Sequence, residues 1–274
     1  MVERIQRTIE EALMSRGIVL FAHNNDNTDY YKMAVYTAKR VNRFYDLPVT
    51  IITDASSVTD DTYQFDKTIL IEPDSSNSIN RRTWINKGRY QVYDLSPYDE
   101  TLVLDTDYMI NSRELLKTFE QPSDFMCYRS SKYLLNPSAN ETMSTNGLGI
   151  YWATVMRFNR SNRARDVFKM IEMVQKNYQH YADLHNFLPY TYRNDYALTI
   201  ALRTVNGHLE SEQDFITGRL IHAGQTVKVE RVDDTTYEVS GDITINERLK
   251  RQYIQLKDFD FHVLDKEMFM RLAV

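Results

Sequence analysis

The sequence predicts an α/β fold built on a mostly parallel sheet with flanking helices. Short apolar runs alternate with helix-like patterns through residues 17–110, which is the rhythm of parallel strands joined by helices. The apolar runs are continuous rather than alternating, as expected for strands covered on both faces of a sheet. A separate stretch at 218–245 alternates around turn signals and predicts a β-hairpin region near the C-terminus.

The elements of the first half have distinct signatures. The predicted strands cover residues 17–24, 48–54, 67–72 and 101–107, and the predicted helices cover residues 3–15, 28–46 and 81–96. In the helix over 28–46, apolar residues recur at helical spacing, and Thr28 is the predicted N-cap. The strands stop abruptly at polar residues, so we expect their carboxyl ends to form the ligand-binding edge of the sheet.

The second half contains longer helices. A strand is predicted over 149–161, followed by helices over 161–185 and 191–208. The chain has no internal repeat, low-complexity segment or linker rich in proline and glycine. We therefore expect residues 1–274 to form a single domain, with a β-hairpin insertion around 209–250.

Composition narrows the class of protein. The 274 residues carry a net charge of −5, which argues against a protein that coats nucleic acid. Cys127 is the single cysteine, so no internal disulfide can form, and a cytoplasmic location is expected. The charged N-terminus lacks the apolar centre of a signal peptide, and no apolar run is long enough for a membrane span. We expect no association with a membrane.

Asp105 and Asp107 end the fourth predicted strand, in the stretch TLVLDTDYMI. Residues two apart on an extended chain point to the same side, so both carboxylates are expected at one place on the ligand-binding edge. Hard oxygen ligands suit Mg²⁺ or Mn²⁺, which substrate phosphates and water commonly complete. A solvated junction between strand and loop, with a capping aspartate, is the structural alternative. The apolar run directly before the acids favours the metal site.

PYDETLVLDTDYMI resembles the strand and Asp-x-Asp motif of the GT-A fold glycosyltransferases, and is most similar to the glycogenin-like group that uses nucleotide sugars. Further stretches resemble motifs of that group in the same order: AHNND, WINKGRYQVYDLS, NGLGIYWATVMRFNRS, YRNDYALTIAL and DFHVLDK. The resemblance implies a GT-A-like, Rossmann-like domain with a nucleotide-sugar-binding half over 17–110 and an acceptor-side half over 111–274. Residues 209–256 have no counterpart in the group.

The resemblance also implies a set of site residues. Asp105, Asp107 and His262 would bind Mn²⁺ or Mg²⁺ between the two phosphates of the donor. Asp195 would be the catalytic residue on the sugar side, where it would orient the acceptor hydroxyl, act as a base or stabilise a cationic sugar. The donor-binding residues would surround the nucleoside and the diphosphate: Ala22, His23, Asn24, Asn25, Asp54, Lys87, Asp105 and Lys266.

Several of these residues have a structural alternative. His23 fits a strand end with satisfied hydrogen bonds, and Lys87 fits a solvated helix. Asp195 fits the first turn of a helix, where an acid interacts well with the helix dipole. His262 fits a half-buried position between aromatic residues. His222, in LIHAG, competes as a metal ligand, although its place in the predicted hairpin region favours a structural role.

The implied function is the metal-dependent transfer of a hexosyl or pentosyl group from a nucleoside-diphosphate sugar, with UDP as the expected nucleotide, to an acceptor hydroxyl. The acceptor would be a glycan or a hydroxymethylated base in DNA, as for some phage-type enzymes, which would act in the host cytoplasm. The basic stretch over 157–165, together with Arg81 and Arg82, would suit a polyanionic acceptor. A solvated helix start explains the same stretch equally well.

Two other functions remain as alternatives. A sugar nucleotidylyltransferase also combines an α/β sheet with acidic metal ligands, but it would normally carry a glycine-rich phosphate loop after the first strand. The loop sequence here, HNNDNTD, contains no glycine. A non-catalytic module that binds nucleotide sugars is the other alternative.

Overall fold

The computed structural model describes most of the chain. The described residues are 15–59, 63–72, 78–79, 82–83, 85–136, 142–144, 147–188, 192–245 and 248–273. The helix predicted over 3–15 lies outside them, apart from its last residue. No described helix is both long and apolar enough to cross a membrane.

In the first half of the described chain, helical segments lie between strands at two places, after the first strand and before the strand at 100–104, as predicted. The strands are β1 (Arg16–Phe21), β2 (Val49–Thr53), β3 (Lys67–Leu70), β4 (Ser78–Ile79), β5 (Arg82–Thr83), β6 (Glu100–Leu104), β7 (Tyr108–Met109), β8 (Phe125–Tyr128), β9 (Ser131–Tyr133), β10 (Trp152–Asn159), β11 (Leu220–Ala223), β12 (Val227–Arg231), β13 (Thr236–Ile245), β14 (Arg248–Lys257) and β15 (Phe261–Val263). The α-helices are α1 (Tyr30–Phe44), α2 (Val92–Leu95), α3 (Asn162–Lys176), α4 (Tyr178–His185), α5 (Asn194–Val205) and α6 (Lys266–Leu272), and 3₁₀ helices cover Ile85–Gln91, Glu114–Glu120 and Glu212–Asp214.

The central sheet has the described strand order β3-β2-β1-β6-β10-β8. β3, β2, β1 and β6 run parallel, and β10 runs antiparallel to β6 and β8. Helices α1, α3 and α5 pack near this sheet. The predicted α/β fold with a mostly parallel sheet and flanking helices is confirmed. The division into halves and the single-domain organisation stay predictions.

Burial follows the apolar runs. β2 and β6 are buried along their whole length, and β1 is buried after Arg16. The expectation of strands covered on both faces therefore holds for the strands that carry the ligand-binding edge. It is wrong for β3, which lies at one end of the sheet and is mostly exposed. An apolar run alone does not show whether a strand is central or terminal.

Three helix predictions need correction. Asp29, rather than Thr28, is the N-cap of α1, since its carboxylate accepts a hydrogen bond from the Lys32 amide at 2.9 Å. The single helix predicted over 161–185 is divided at Asn177 into α3 and α4, because that residue leaves the helical conformation and its side chain donates to the Met173 carbonyl. The helix predicted over 81–96 begins as a 3₁₀ helix at Ile85.

The C-terminal part forms two smaller sheets. One has the order β7-β15-β11-β9, and the other is the antiparallel sheet β12-β13-β14. The predicted hairpin is β12–β13, and β14 extends it over ten paired residues. A second apolar core lies between these sheets and α6. The segment without a counterpart in the resembled family is therefore largely a β-sheet that covers one side of this core.

Candidate active site

Two aspartates follow the end of β6, at the carboxyl edge of the parallel strands. The Asp105 amide donates to the Thr154 carbonyl of the neighbouring β10 at 3.0 Å, which fixes the start of the turn. The Tyr108 amide closes the turn on the Asp105 carbonyl at 3.2 Å. The Asp107 side chain is 5% exposed and the Asp105 side chain 23% exposed. Neither carboxylate is a freely solvated loop residue.

His262 arrives beside the two aspartates through strand pairing. β15 runs antiparallel to β7, and His262 pairs with Tyr108, the residue after Asp107. The His262 Nε2 atom lies 3.1 Å from Asp107 Oδ1 and 3.9 Å from Asp105 Oδ2. The structure thus brings together the three residues that the sequence predicts as metal ligands.

A basic side chain contacts the second oxygen of each carboxylate. Lys266 Nζ donates to Asp107 Oδ2, and Arg89 Nη1 lies 2.5 Å from Asp105 Oδ1. Burial would raise the pKa of Asp107, but electrostatic attraction and hydrogen bonds from His262 and Lys266 hold that pKa below its ordinary value. Burial would lower the pKa of Lys266, and the attraction of Asp107 raises it instead. Both groups are therefore ionised at neutral pH.

Arg89 is a site residue that the sequence analysis missed. It lies in the 3₁₀ helix before β6, and its side chain is 4% exposed. Its Nε and Nη2 atoms have no hydrogen-bond partner among the described residues. Lys87, the predicted cation, belongs to the same helix, but its side chain lies outside the description. The stretch NKGRY carries both cations, and the structure places the Arg89 side chain at Asp105.

His222 lies behind His262, on the neighbouring strand. The two residues pair in register between β11 and β15, and their Nδ1 atoms are 3.1 Å apart. His222 is fully buried against Trp152 and Tyr133, and this burial lowers its pKa to about 2. A neutral His222 can accept a hydrogen bond from His262 Nδ1, which leaves the lone pair of His262 Nε2 for a cation.

His23 and Asp54 form a buried pair where β1 and β2 end. His23 Nδ1 donates to Asp54 Oδ2 at 2.9 Å, and the two side chains are 7% and 3% exposed. Burial lowers the pKa of His23, so the ring is neutral at pH 7. Burial would raise the pKa of Asp54, but hydrogen bonds from Ser56, His23 and Ser57 lower it to about 2. The pair fixes the ends of two strands of the ligand-binding edge.

The loop after β1 uses its asparagines to hold its own shape. Asn24 Oδ1 accepts from the Tyr31 amide at 2.9 Å, and its amide nitrogen donates to the Ser57 carbonyl at 3.4 Å. Asn25 Oδ1 accepts from two amides of the following turn. Ala22 is buried beside β2, where its amide donates to the Ile52 carbonyl. All three lie at the carboxyl edge, and their predicted contact with a nucleoside stays a prediction.

Asp195 lies in the first turn of α5, as expected from its sequence position. Its Oδ1 accepts from the Ala153 amide at 2.9 Å, and Arg193 Nη2 lies 3.2 Å from Oδ2. Ala153 precedes Thr154, whose carbonyl holds the Asp105 amide. The carboxylate therefore anchors α5 to the strand beside the metal-ligand cluster. Its predicted catalytic role stays a prediction.

The basic stretch over 157–165 does not form a face for a polyanion in the way that the sequence suggested. Arg157 is buried and donates to Glu100 and to the Ser123 carbonyl. Arg160 donates to backbone carbonyls of the segment before β6, and Arg163 is paired with Asp214. These three side chains hold the fold together. Arg81 and the Arg82 side chain lie outside the description.

The donor set suits a divalent cation. One oxygen of Asp105, one oxygen of Asp107 and the His262 nitrogen lie within 4.8 Å of one another. Carboxylate oxygens with one imidazole are acceptable ligands for Mg²⁺ and Mn²⁺. Because Arg89 and Lys266 hold the outer oxygens, the inner oxygens are turned towards His262. Asp105, Asp107 and His262 would hold the cation.

Comparisons with known proteins give structural similarities only. No protein-family model matches the chain, and no curated protein matches it at a significant level. The solved structure of the glycosyltransferase GlyE from Streptococcus pneumoniae TIGR4 is 14% identical, with a TM-score of 0.43 over 74% of this chain and 44% of that one. The galactosyltransferase LgtC, in complex with donor and acceptor sugar analogues, is 14% identical, with a TM-score of 0.45 over 68% of this chain and 70% of that one.

A third similar structure is the bifunctional glycosyltransferase WbbM. It is 10% identical, with a TM-score of 0.37, and the match covers 58% of this chain and 35% of WbbM. This chain therefore spans less than half the length of GlyE and of WbbM.

Proposed function

We propose that this chain is a metal-dependent glycosyltransferase that moves a sugar from a nucleoside-diphosphate sugar to an acceptor hydroxyl. One observation carries the proposal. At the carboxyl end of β6, Asp105 and Asp107 each turn one oxygen towards His262, and a basic side chain contacts the other oxygen. This arrangement suits a divalent ion with a diphosphate beside it. The resemblance of the surrounding sequence to an Asp-x-Asp motif supports the same assignment.

The metal ion and two basic side chains have different roles in stabilising the negative charge of the diphosphate and of Asp105. Mn²⁺ or Mg²⁺, when bound, supplies a Lewis acid for the diphosphate. Lys266 is 30% exposed, so it can turn from Asp107 to a phosphate oxygen and offset the negative charge that develops on the leaving group. Arg89 keeps Asp105 in position, and its Nε and Nη2 atoms are available to donate further hydrogen bonds. These roles need positive charge on both sides of the carboxylate pair, which the chain provides.

The strand ends beside this cluster offer a place for the nucleoside. The His23–Asp54 pair stiffens the ends of β1 and β2, and the loop over 22–29 continues from it. We propose a uridine diphosphate sugar as donor, bordered by Ala22, Asn24 and Asn25. Asp195 orients the sugar or the acceptor hydroxyl from the start of α5. A carboxylate anchored by a backbone amide keeps its direction, which positioning requires.

Replacing one metal ligand tests the proposal. Asp107→Asn keeps the size of the side chain but removes the charge, so we expect loss of Mn²⁺-dependent hydrolysis across a panel of nucleotide sugars, by at least about 100-fold. Asp94→Asn, a change at an exposed acid of α2, should keep wild-type rates. Released nucleoside diphosphate is the measured quantity.

Full activity of Asp107→Asn would remove the metal site from the mechanism. Binding of Mn²⁺ and nucleotide sugar without hydrolysis or transfer would favour a non-catalytic module. Release of pyrophosphate from a nucleoside triphosphate and a sugar phosphate would favour a nucleotidylyltransferase. Repeating the assay with glycans, plain DNA and hydroxymethylated DNA then separates the two proposed acceptor classes.

A further inference from the structure

A groove with an excess of positive charge runs along the outer side of α1. It is bounded by α1, by the end of α6 and by the turn that joins β12 to β13, and its volume is about 360 Å³. Its charged lining residues, which define the basic groove, are Lys32, Lys39, Arg40, Arg43, Arg231 and Asp234. None of them belongs to the Asp105–Asp107–His262 cluster.

Among the described residues, the basic groove has more positive than negative charge. Three guanidinium groups approach the single carboxylate of Asp234: Arg40 Nη1 at 3.0 Å, Arg231 Nη2 at 2.9 Å and Arg43 Nη2 at 2.7 Å. With two lysines added, the described lining residues comprise five cations and one carboxylate, a net charge of +4 in a chain whose net charge is −5. Like charges this close repel one another, and an entering anion would relieve that repulsion.

Part of this charge is fixed in place before any ligand arrives. The Arg40 side chain is 5% exposed and donates to the Ile110 carbonyl at 2.7 Å and to Asn111 Oδ1 at 2.5 Å. A guanidinium group held in this way cannot swing into water to lower its energy. Arg43 differs, because its side chain is 60% exposed and its ion pair with Asp234 Oδ2, at 2.7 Å, involves one guanidinium nitrogen, Nη2. A guanidinium group has five N–H donors, so Arg43 can keep this ion pair and still donate to a ligand.

Helix α1 repeats the same imbalance along its length. Its fifteen residues, YYKMAVYTAKRVNRF, include four cations and no acid. Lys32, Lys39 and Arg43 are exposed and share one face at spacings of seven and four residues. Neither lysine has an acidic partner within the described part of the chain. On α3, by contrast, Lys176 is paired with Glu172 at 2.7 Å.

We propose that the basic groove is a second ligand site, separate from the candidate active site, for a small molecule that carries two or more linked phosphates. Guanidinium forks match phosphate oxygens, and lysines add point charges. The groove is the size of a small-molecule site, which is larger than a single phosphate needs. The proposal does not depend on the function proposed above, because no residue is shared between the two sites.

Titration calorimetry with inorganic pyrophosphate tests this site. The full chain is titrated with a chelator present, so that metal complexes do not form at Asp105 and Asp107. We expect Lys39→Glu/Arg43→Glu to weaken pyrophosphate binding by more than about tenfold. The matched control is Arg165→Glu/Lys169→Glu, an exposed basic pair four residues apart on α3, which should keep wild-type affinity.

Other outcomes overturn the proposal. These are no binding of pyrophosphate by the wild type, equal affinity in the Lys39/Arg43 variant, or equal loss in both variants, which would show a general charge effect. Binding of a single-stranded oligonucleotide without binding of pyrophosphate would replace the small ligand by an extended polyanion. If the Glu variant fails to fold by circular dichroism, Lys39→Gln/Arg43→Gln gives the same comparison without new negative charge. Mn²⁺-dependent donor hydrolysis should be unchanged in either variant.

Discussion

At the residue scale, the candidate active site is defined by the different partners that the two oxygens of each carboxylate contact. Asp107 places Oδ1 near His262 and Oδ2 on Lys266, and Asp105 places Oδ2 near His262 and Oδ1 on Arg89. The sequence predicts that both acids reach one place, but it does not predict this division. Arg89 is 16 positions from Asp105 and Lys266 is 159 positions from Asp107, and the fold selects both as partners.

His222 should act on metal binding through His262. Removing the hydrogen-bond partner of a metal-ligating histidine typically costs about 10- to 100-fold in metal affinity. We expect that loss of Mn²⁺ affinity in His222→Phe, which keeps the aromatic packing against Trp152 but lacks the ring nitrogen. Mn²⁺ titration measured by calorimetry gives the affinity. The exposed His180→Ala serves as the control, and unchanged affinity in His222→Phe would limit His222 to packing.

Asp54 should stabilise the fold in a pH-dependent way. Its pKa is about 2 in the folded chain and 3.8 ordinarily, so its contribution is present above pH 3.8 and is lost as the pH falls towards 2. We therefore expect Asp54→Asn to be less stable than wild type at pH 7, with a difference that shrinks below pH 4. Urea midpoints measured from pH 7 to pH 3 give this difference. A constant difference would contradict the ionised role of Asp54.

At the element scale, strand ends and strand pairing position the site. β1, β2 and β6 end at one edge and deliver Asp54 and Asp105 there. β15 is three residues long, yet its pairing with β7 and β11 sets both His262 and His222. A short strand such as this has little sequence signature of its own, because three residues show no periodicity.

Gly17 in β1 is required by the close approach of Tyr98. A Cβ atom at position 17 would lie 2.3 Å from the Tyr98 ring, whose hydroxyl is 2.8 Å from the Thr50 hydroxyl in β2. We expect Gly17→Ala to cost about 1–3 kcal/mol of unfolding free energy, because the ring must move and break that hydrogen bond. Chemical denaturation measures the cost. Gly88→Ala, where the nearest atom is 3.9 Å away, should be tolerated, and an equal cost in both variants would contradict the steric explanation.

At the scale of the whole molecule, two apolar cores meet near the candidate active site. The larger core surrounds the central sheet, and the smaller one lies between the C-terminal sheets and α6. Asp105 and Asp107 follow a strand of the first core, whereas His262 and Lys266 belong to elements of the second. A cation held by both sets of residues would therefore stabilise the folded chain against unfolding as a whole.

Mn²⁺ should accordingly raise the melting temperature. A ligand that binds only the folded state stabilises it by about 2.7 kcal/mol at one hundred times its dissociation constant. We expect this shift in the wild type and its loss in His262→Ala, measured by scanning calorimetry with and without Mn²⁺. The exposed His180→Ala should shift as the wild type does. An equal shift in His262→Ala would place the stabilising ion elsewhere.

The apolar runs before polar strand ends were enough to predict the α/β class, the parallel strands and the aspartate pair at their edge. These features depend on local sequence, because a strand buried on both faces consists of consecutive apolar residues. The hairpin of β12 and β13 is also confirmed, because alternating residues around turn signals are likewise a local pattern. The N-cap of α1, the break at Asn177 and the exposure of β3 were not predicted. The first two depend on side-chain hydrogen bonds that the apolar pattern does not show, and the third depends on what packs against the strand.

By itself, the sequence determined which residues could bind a cation and where along the chain they lie. Tertiary structure decided that Arg89 contacts Asp105, that His222 lies behind His262, and that the arginines at 157, 160 and 163 are used to hold the fold. The physical reason is that charge pairing inside a protein depends on distance through space. Lys266 and Asp107 are in contact although 159 positions along the chain separate them.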